Sequence, residues 1–423
     1  METLMHKLKL MIGDATLRRR IIFVFIALAI FRVLATIPIP AAAGQNLGAL
    51  MASDPALGFL NLLTGGGLSA VSIVMLGVGP YITASIIMQL MTMTMPKLKA
   101  MYHEEGELGR RKFTQYSRLL TIPLALMQGY GLILYLGKQG ILTSLSPFEM
   151  LTNVLVVSAG SMLLMWIGEL ISEFGIGNGV SLIIFAGIVA SLPTTISGLI
   201  FTFEAAQAPL YLAVVGATVL TILAVVFMTE AERPVPITYA KQVRGTRTYG
   251  GGETYLPLRV NQAGVIPIIF ALSILVFPQI LANAFAASGN AMVQSVALFI
   301  QKALTNNWVN GFLYFGLVFL FTYFYTAVTF DPESISNNLQ KNGAFIPGIR
   351  PGKQTAEYLA KILTRITLVG AVFLGAIAVL PLIMSAVTGF ASLAIGGTAL
   401  LIVVSVVLDL VKKVEAQISM REY

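Results

Sequence analysis

Few residues of this 423-residue chain have the makings of a reaction centre. It contains no cysteine, which excludes disulfides and thiolate chemistry. Its two histidines, His6 and His103, lie in hydrophilic flanks. His103-Glu104 opens like a zinc-protease helix, but Glu107 stands where the second histidine ligand is needed. No G-x-x-x-x-G-K-[ST] loop is present, so the chain has no nucleotide site of its own. Ion-coupled transporters carry mid-span charges as relays, whereas here Glu169 and Asp409 fall near span ends and Arg32 can snorkel outward. No catalytic, metal or cofactor residue is therefore expected. What recurs instead is a pair of β-branched residues at i, i+4, which share one helix face: Val78 with Ile82, and Val180 with Ile184. In most membrane helices such a pair is ordinary packing. These two each lie beside a helix break, Pro80 in one case and Gly177-Asn178-Gly179 in the other. Side chains of this kind make and break no bonds, but they can constrict a passage.

The elements that would position them are apolar. The chain is 57% hydrophobic and only 11% charged, with a mean hydropathy of +0.84. A length prior of roughly 150 residues per domain would suggest about three domains, yet repeated long apolar runs point to one polytopic bundle. About ten spans are expected, with cores at 21–37, 69–92, 117–136, 152–170, 180–198, 209–228, 262–284, 310–329, 366–385 and 393–410. The first comes after Arg18-Arg19-Arg20 and ends at Pro38-Ile39-Pro40, so it does not read as a cleavable signal. Of the 27 Lys and Arg, 24 fall in the N-terminus, the loops after the second, sixth and eighth spans, and the tail. That asymmetry places both termini in the cytoplasm. The net charge of +8 then reflects topology and anionic headgroups, not nucleic acid. Two of the basic loops are long, 230–261 and 331–365. The first reads as a short projecting hairpin around Gly250-Gly251-Gly252. In the second, the Gly/Pro density of residues 343–352 dictates a tight turn that presents Arg350. The positive-inside bias alone accounts for basic loops, though exposed, turn-rich ones also suit a large docking partner.

The stretch Leu63 to Leu90 organises the chain. It is apolar enough for a bilayer but badly built as a plain spanning helix, since it holds Gly65-Gly66-Gly67 and then Pro80. Broken backbone at membrane depth persists only where protein or a water-filled cavity covers it. The two readings are a kinked helix in a packed bundle, or a segment lining a pathway. An internal repeat favours the second. The second span has Gly77-Val78-Gly79-Pro80-Tyr81-Ile82 and the seventh has Gly264-Val265-Ile266-Pro267-Ile268-Ile269, both G-V-x-P-x-I. Five spans per half force the second half to cross in the opposite sense, and inverted repeats put a pathway at their interface. A weaker echo joins Ile176-Gly177 with Ile395-Gly396.

These residues resemble a known family, the bacterial SecY pore subunits of the general protein-export channel. The resemblance covers the whole chain. It is carried by Phe31-Arg32 with Ile37-Pro38-Ile39-Pro40, Gly79-Pro80-Tyr81-Ile82 with Ala84-Ser85-Ile86-Ile87, and Gly175-Ile176-Gly177-Asn178-Gly179. Ala263-Gly264-Val265-Ile266-Pro267, the run Gly343 to Gly352, and Gly396-Gly397-Thr398 complete it. It implies an all-α polytopic membrane protein of about ten transmembrane helices, in two pseudo-symmetric inverted halves that form a clamshell around an hourglass pore. The expected division is a cytoplasmic N-terminal segment 1–20, an N-terminal half 21–198, an outer hinge loop 199–208, a C-terminal half 209–410 and a cytoplasmic tail 411–423. The implied pore ring is Val78, Ile82, Val180, Ile184, Ile269 and Ile402. A plug of about Leu57 to Leu68, including Leu60 and Leu63, would hinge at Gly65, Gly66 and Gly67. The second and seventh spans would form a lateral gate, with Gln89, Asn178 and Gln262 as its polar groups. Arg247 and Arg350 would dock the SecA ATPase or the ribosome, while SecE and SecG sit around the bundle. Cargo would be signal sequences and nascent polypeptides, some released into membrane lipid, with no sequence-specific nucleic-acid binding. The implied location is the bacterial inner membrane. The rival reading is an inverted-repeat transporter of a small solute, which needs a polar midplane site that the sequence does not supply.

Overall fold

The computed structural model describes residues 14–42, 61, 64–103, 105–138, 140–142, 145–201, 208–239, 242–244, 247–249, 252–285, 291–388 and 391–419. Among them, each of the ten expected spans has a helix. The first five are Ala15–Leu34, Gly79–Thr94, Gly106–Lys138, Pro147–Phe174 and Gly179–Phe201. The second five are Ala208–Glu230, Ile266–Phe285, Asn307–Thr329, Lys353–Thr388 and Ala391–Ser419. The third, fourth, sixth, eighth and ninth are each long and apolar enough to cross a bilayer. The chain is a polytopic helical membrane protein. Helix starts are set by local chemistry: Asp14 accepts from Thr16 N and Leu17 N at the first, and Ser146 with Glu149 forms a capping box at the fourth.

The second span departs from expectation over its first half. Thr64 to Val78 runs through successive turns, and the helix begins only at Gly79. Pro80 occupies the first helical turn, where its missing N–H is no loss, so it starts the helix and does not kink it. The turns survive because their polar groups are paired. Ser72 N donates to Gly67 O (2.8 Å), Met75 N to Ser72 O (3.0 Å) and Gly77 N to Val74 O (2.8 Å). The Ile37-Pro38-Ile39 segment clips alongside, with Ile39 N on Val71 O and Ile73 N on Ile37 O, both 2.9 Å. Leu68, Val71, Val74 and Met75 are fully buried. The fourth span presses so closely that a Cβ on Gly160 would overlap the Ile73 carbonyl. This is irregular backbone covered by protein, the condition for placing it in a membrane.

The internal repeat has a conformational counterpart. Gly77 and Gly264 take φ of +58° and +63°, and each helix starts two residues later, at Gly79 and at Ile266. The weaker echo fails: Gly177 has φ +91° ahead of its helix, whereas Gly396 lies inside the tenth helix.

The loops are more structured than their sequence suggests. β1 (Glu232–Tyr239) and β4 (Glu253–Arg259) form an antiparallel hairpin, with β2 (Gln242–Arg244) and β3 (Arg247–Tyr249) pairing between them. β5 (Ala344–Phe345), from the loop after the eighth span, joins β1 to give the order β4-β1-β5. Val235, Leu258, Ile346 and Leu359 are buried together beneath this sheet. A helix over Pro332–Lys341 occupies the same loop. The third and ninth helices begin earlier than expected, at Gly106 and Lys353. A further helix, Ala291–Thr305, stands between the seventh and eighth spans, where the sequence signals no element. Leu17, Ile176 and Ile418 cluster, so both ends of the described chain meet on one side of the bundle. A 2.9 Å ion pair from Lys412 to Glu230 adds the loop after the sixth span to that side.

Candidate functional site

The structure gathers all six candidate ring residues into one contiguous apolar cluster. Val78, Ile82, Ile184, Ile269 and Ile402 are buried, the most open of them, Ile82, at 6% exposure. Val180 packs against them half-buried. They come from four elements, three of which place them near a helix start. Val78 caps the second helix, and Ile82 lies one turn on, its N–H bonded to Val78 O at 3.0 Å. Ile269 sits in the first turn of the seventh helix. Val180 and Ile184 come after Gly179, which lies so close to the fourth span that an added Cβ would overlap the Gly168 carbonyl oxygen. Ile402 comes from the tenth helix. The rest of the cluster is aliphatic and aromatic, including Phe270, Phe321 and Val318. Five of the six are therefore closed off from solvent.

Of the candidate plug, Leu60 and Leu63 lie outside the described residues. Of the described part, Asn61 is helical and Thr64 to Leu68 is turn. Gly65 and Gly66 adopt φ of +67° and +82°, and a Cβ on Gly65 would meet Phe31 Cζ at 2.6 Å. These glycines form a tightly packed turn. Arg32 does not snorkel outward as expected: its guanidinium donates to the Gly65 carbonyl. That bond joins the Phe31-Arg32 motif to the glycine turn, a pairing that sequence spacing gives no means to see.

The second and seventh spans pack on each other. The three candidate gate groups do not form one set. Asn178 caps the fifth helix by accepting from Ser181 N (3.2 Å), and together with Gln262 it lines a cavity of about 330 Å³ on the side of the basic loops. Gln89 lies elsewhere, on the second helix, its Oε1 buried without a partner. Two further polar groups have no counterpart among the candidates from sequence. Buried Gln128 of the third span stands beside the second-helix start, its Oε1 about 4.0 Å from where a Gly79 Cβ would be. Ser161 of the fourth span donates to Gly77 O at 2.8 Å in the buried interior. A lone glutamine in an apolar run is the available signal for the first.

The two candidate docking residues lie on loops that share one sheet. Arg247 opens β3, opposite Arg244. Arg350 lies on a turn held at both ends. Thr355 Oγ1 donates to Arg350 O (2.9 Å) and Ser336 Oγ to Gly352 O (2.7 Å), while Gly348 and Gly352 take positive φ.

A membrane bundle whose broken helices meet at an aliphatic cluster defines a class, the fold of protein-conducting channels. The chain matches a solved protein-conducting channel with a TM-score of 0.67 at 19% identity, covering 96% of this chain and 93% of that one. It matches Sec61 from a canine ribosome–channel complex with a TM-score of 0.63 at 18% identity, with the same coverage. Sequence comparison narrows the class. The SecY family model matches residues 72–411. The protein translocase subunit SecY of Mycobacterium tuberculosis is 40% identical over 428 residues, 96% of each chain. That of Synechocystis is 41% identical over 419 residues, 97% of this chain and 94% of the relative. The chain belongs to the SecY family. This is a family of channel subunits and not a classical enzyme family.

Proposed function

We propose that this chain is the pore of a bacterial protein-export translocon. It passes unfolded secretory polypeptides across the membrane and releases hydrophobic segments sideways into lipid. The observation that carries the reading is that all six candidate ring residues fall in one apolar cluster, to which both G-V-x-P helix starts contribute. A passage for chains of any sequence must not hold cargo by specific bonds or select it by charge. An apolar constriction does neither, and a narrow one excludes ions by dewetting. Branched side chains yield around a moving chain and close behind it. In this reading Val78, Ile82, Val180, Ile184, Ile269 and Ile402 form the ring, and Gly65 to Gly67 are the hinge of the plug. The gate opens between the second and seventh spans. The halves are 21–198 and 209–410, hinged at 199–208. Sideways release is favourable for a signal segment, since burying each CH₂ in lipid is worth roughly 0.8 kcal/mol.

The chain supplies no reaction of its own, so drive comes from partners: the SecA ATPase or a ribosome on the loops carrying Arg247 and Arg350, with SecE and SecG beside the bundle. Both termini lie in the cytoplasm, and the membrane is the bacterial inner one. A small-solute transporter would need convergent charges at the midplane, and none of the buried polar side chains among the described residues is charged.

The test is crosslinking of a secretory chain arrested in transit through reconstituted complex. The absence of native cysteine makes single cysteines clean probes. Ile402→Cys and Val180→Cys are expected to link to the arrested chain, and Leu220→Cys, exposed on the sixth span, is not. Equal labelling at all three positions would remove the ring.

A further inference from the structure

The helix Ala291–Thr305 is neither a span nor a basic loop. It follows the seventh span, packs on it and leads into the eighth. The three-stranded sheet ties the loops after the sixth and eighth spans to one side of the bundle. This helix therefore stands on the opposite side, the outer one in the topology proposed above. Its 15 residues rise about 22 Å, too little to cross a hydrocarbon core of about 30 Å.

The helix has three faces. Ala297 and Leu304 are buried against the protein. Met292, Val296 and Phe299 recur at i, i+4 and i+7, which makes one stripe, and they are 77%, 55% and 74% exposed. The arc across from that stripe carries Gln294, Ser295, Gln301 and Lys302, with Leu298 among them. Two observations identify what covers the exposed stripe. First, only Asn306, the cap of the eighth helix, separates Thr305 from that span. Trp308, in the first turn of the span, is 85% exposed, and an indole at a span end sits at headgroup level. The helix therefore ends at the membrane surface, and its one-residue link leaves little room to stand clear of the bilayer. Second, Lys302 is the only charged residue between Arg259 and Asp331. A lone cation beside an apolar stripe, with no carboxylate in the connector, suits a lipid phosphate above acyl chains. We propose that this helix is an interfacial anchor in the outer leaflet. Met292, Val296 and Phe299 sink among the acyl chains, and Lys302 reaches the headgroup phosphates. With one cation, the hold comes mainly from the apolar area buried in the interface. The anchor sets the depth at which the seventh span ends and the eighth begins.

The experiment uses the full reconstituted complex in vesicles of phosphatidylethanolamine and phosphatidylglycerol. Because the chain lacks cysteine, Met292→Cys, Val296→Cys, Phe299→Cys, Gln294→Cys and Ser295→Cys each take a single nitroxide label. Its collisions with oxygen, which concentrates in lipid, and with a water-soluble nickel chelate are then compared. Labels at 292, 296 and 299 are expected to favour oxygen, and those at 294 and 295 the chelate. Adding Phe299→Asp to Val296→Cys should shift the label at 296 to the ratio seen at 294. Chelate access at all five positions means that the helix stands off the membrane and overturns the anchor. Shielding of 292, 296 and 299 from both reagents means that protein covers the stripe, and oxygen preference at all five means that the helix is sunk in the core; either overturns it too. So does an unchanged ratio at 296 in the Phe299→Asp variant, since the stripe would then not be what seats the helix. None of these outcomes bears on the pore.

Discussion

Ser161→Ala is the sharpest test of how the proposed constriction is held shut. The Ser161 hydroxyl donates to the Gly77 carbonyl at 2.8 Å across the fourth-span contact. Gly77 immediately precedes Val78, the capping residue of the second helix and a member of the aliphatic cluster. Removing the hydroxyl strands a carbonyl in the apolar interior, where water cannot replace the lost donor. Leaving one buried partner unsatisfied costs about 1–3 kcal/mol. If that cost falls on the closed arrangement alone, the closed-to-open ratio drops by about 5- to 150-fold. The assay is resting ion current through purified complex in planar bilayers, with no cargo present. The alanine variant should leak measurably, and Ser161→Thr, which keeps the hydroxyl, should not. A resting current in the alanine variant equal to wild type, with normal assembly, would mean that this bond is made equally in open and closed forms. The turn would then not be what positions Val78.

The same geometry sets other outcomes. Ile82→Gly combined with Ile184→Gly should raise ion leak and relax signal-sequence selectivity, read as bilayer current and as export of substrates with weakened signals. Arg350→Glu should depress export while insertion of the protein into membranes stays normal, measured as precursor accumulation against the level of the variant. Gly179→Val should lower the amount of folded protein, because its side chain is driven into the Gly168 carbonyl. Overpacking of that kind costs about 1–3 kcal/mol or more, and protease sensitivity in membranes reads it out.

Much of the architecture is legible because membrane helices announce themselves by long apolar runs, and all ten have counterparts in the described chain. The late start of the second helix shows where that signal fails. Hydropathy cannot tell a buried turn from a helix when both are apolar, and Val71 to Val78 is as greasy as the helix beginning at Gly79. The better guide is Pro80, which marks a first turn as readily as a kink. The G-V-x-P repeat points to matching backbone, and Gly77 and Gly264 share their left-handed conformation. The i, i+4 pairs are legible as faces, but what they face is not. Only the fold brings Ile269 and Ile402 to them. The Arg32 bond to Gly65 and the Ser161 bond to Gly77 link residues far apart in sequence, and no local pattern encodes such a meeting. The helix Ala291–Thr305 escapes a hydropathy reading because, at 15 residues, it is too short for a spanning run.

The three-stranded sheet carries a mechanical implication. β5 holds β1 through only two residue pairs, Thr238 with Phe345 and Tyr239 with Ala344, while β1 and β4 match over seven. A push on the Arg350 turn therefore reaches the hairpin, and the sixth and seventh helices from which it grows, through a short clasp and the Val235, Leu258, Ile346 and Leu359 packing beneath it. Under a gentle load the clasp makes the two loops one handle. Under a strong one it is the first link to part, and each loop then moves with its own helices.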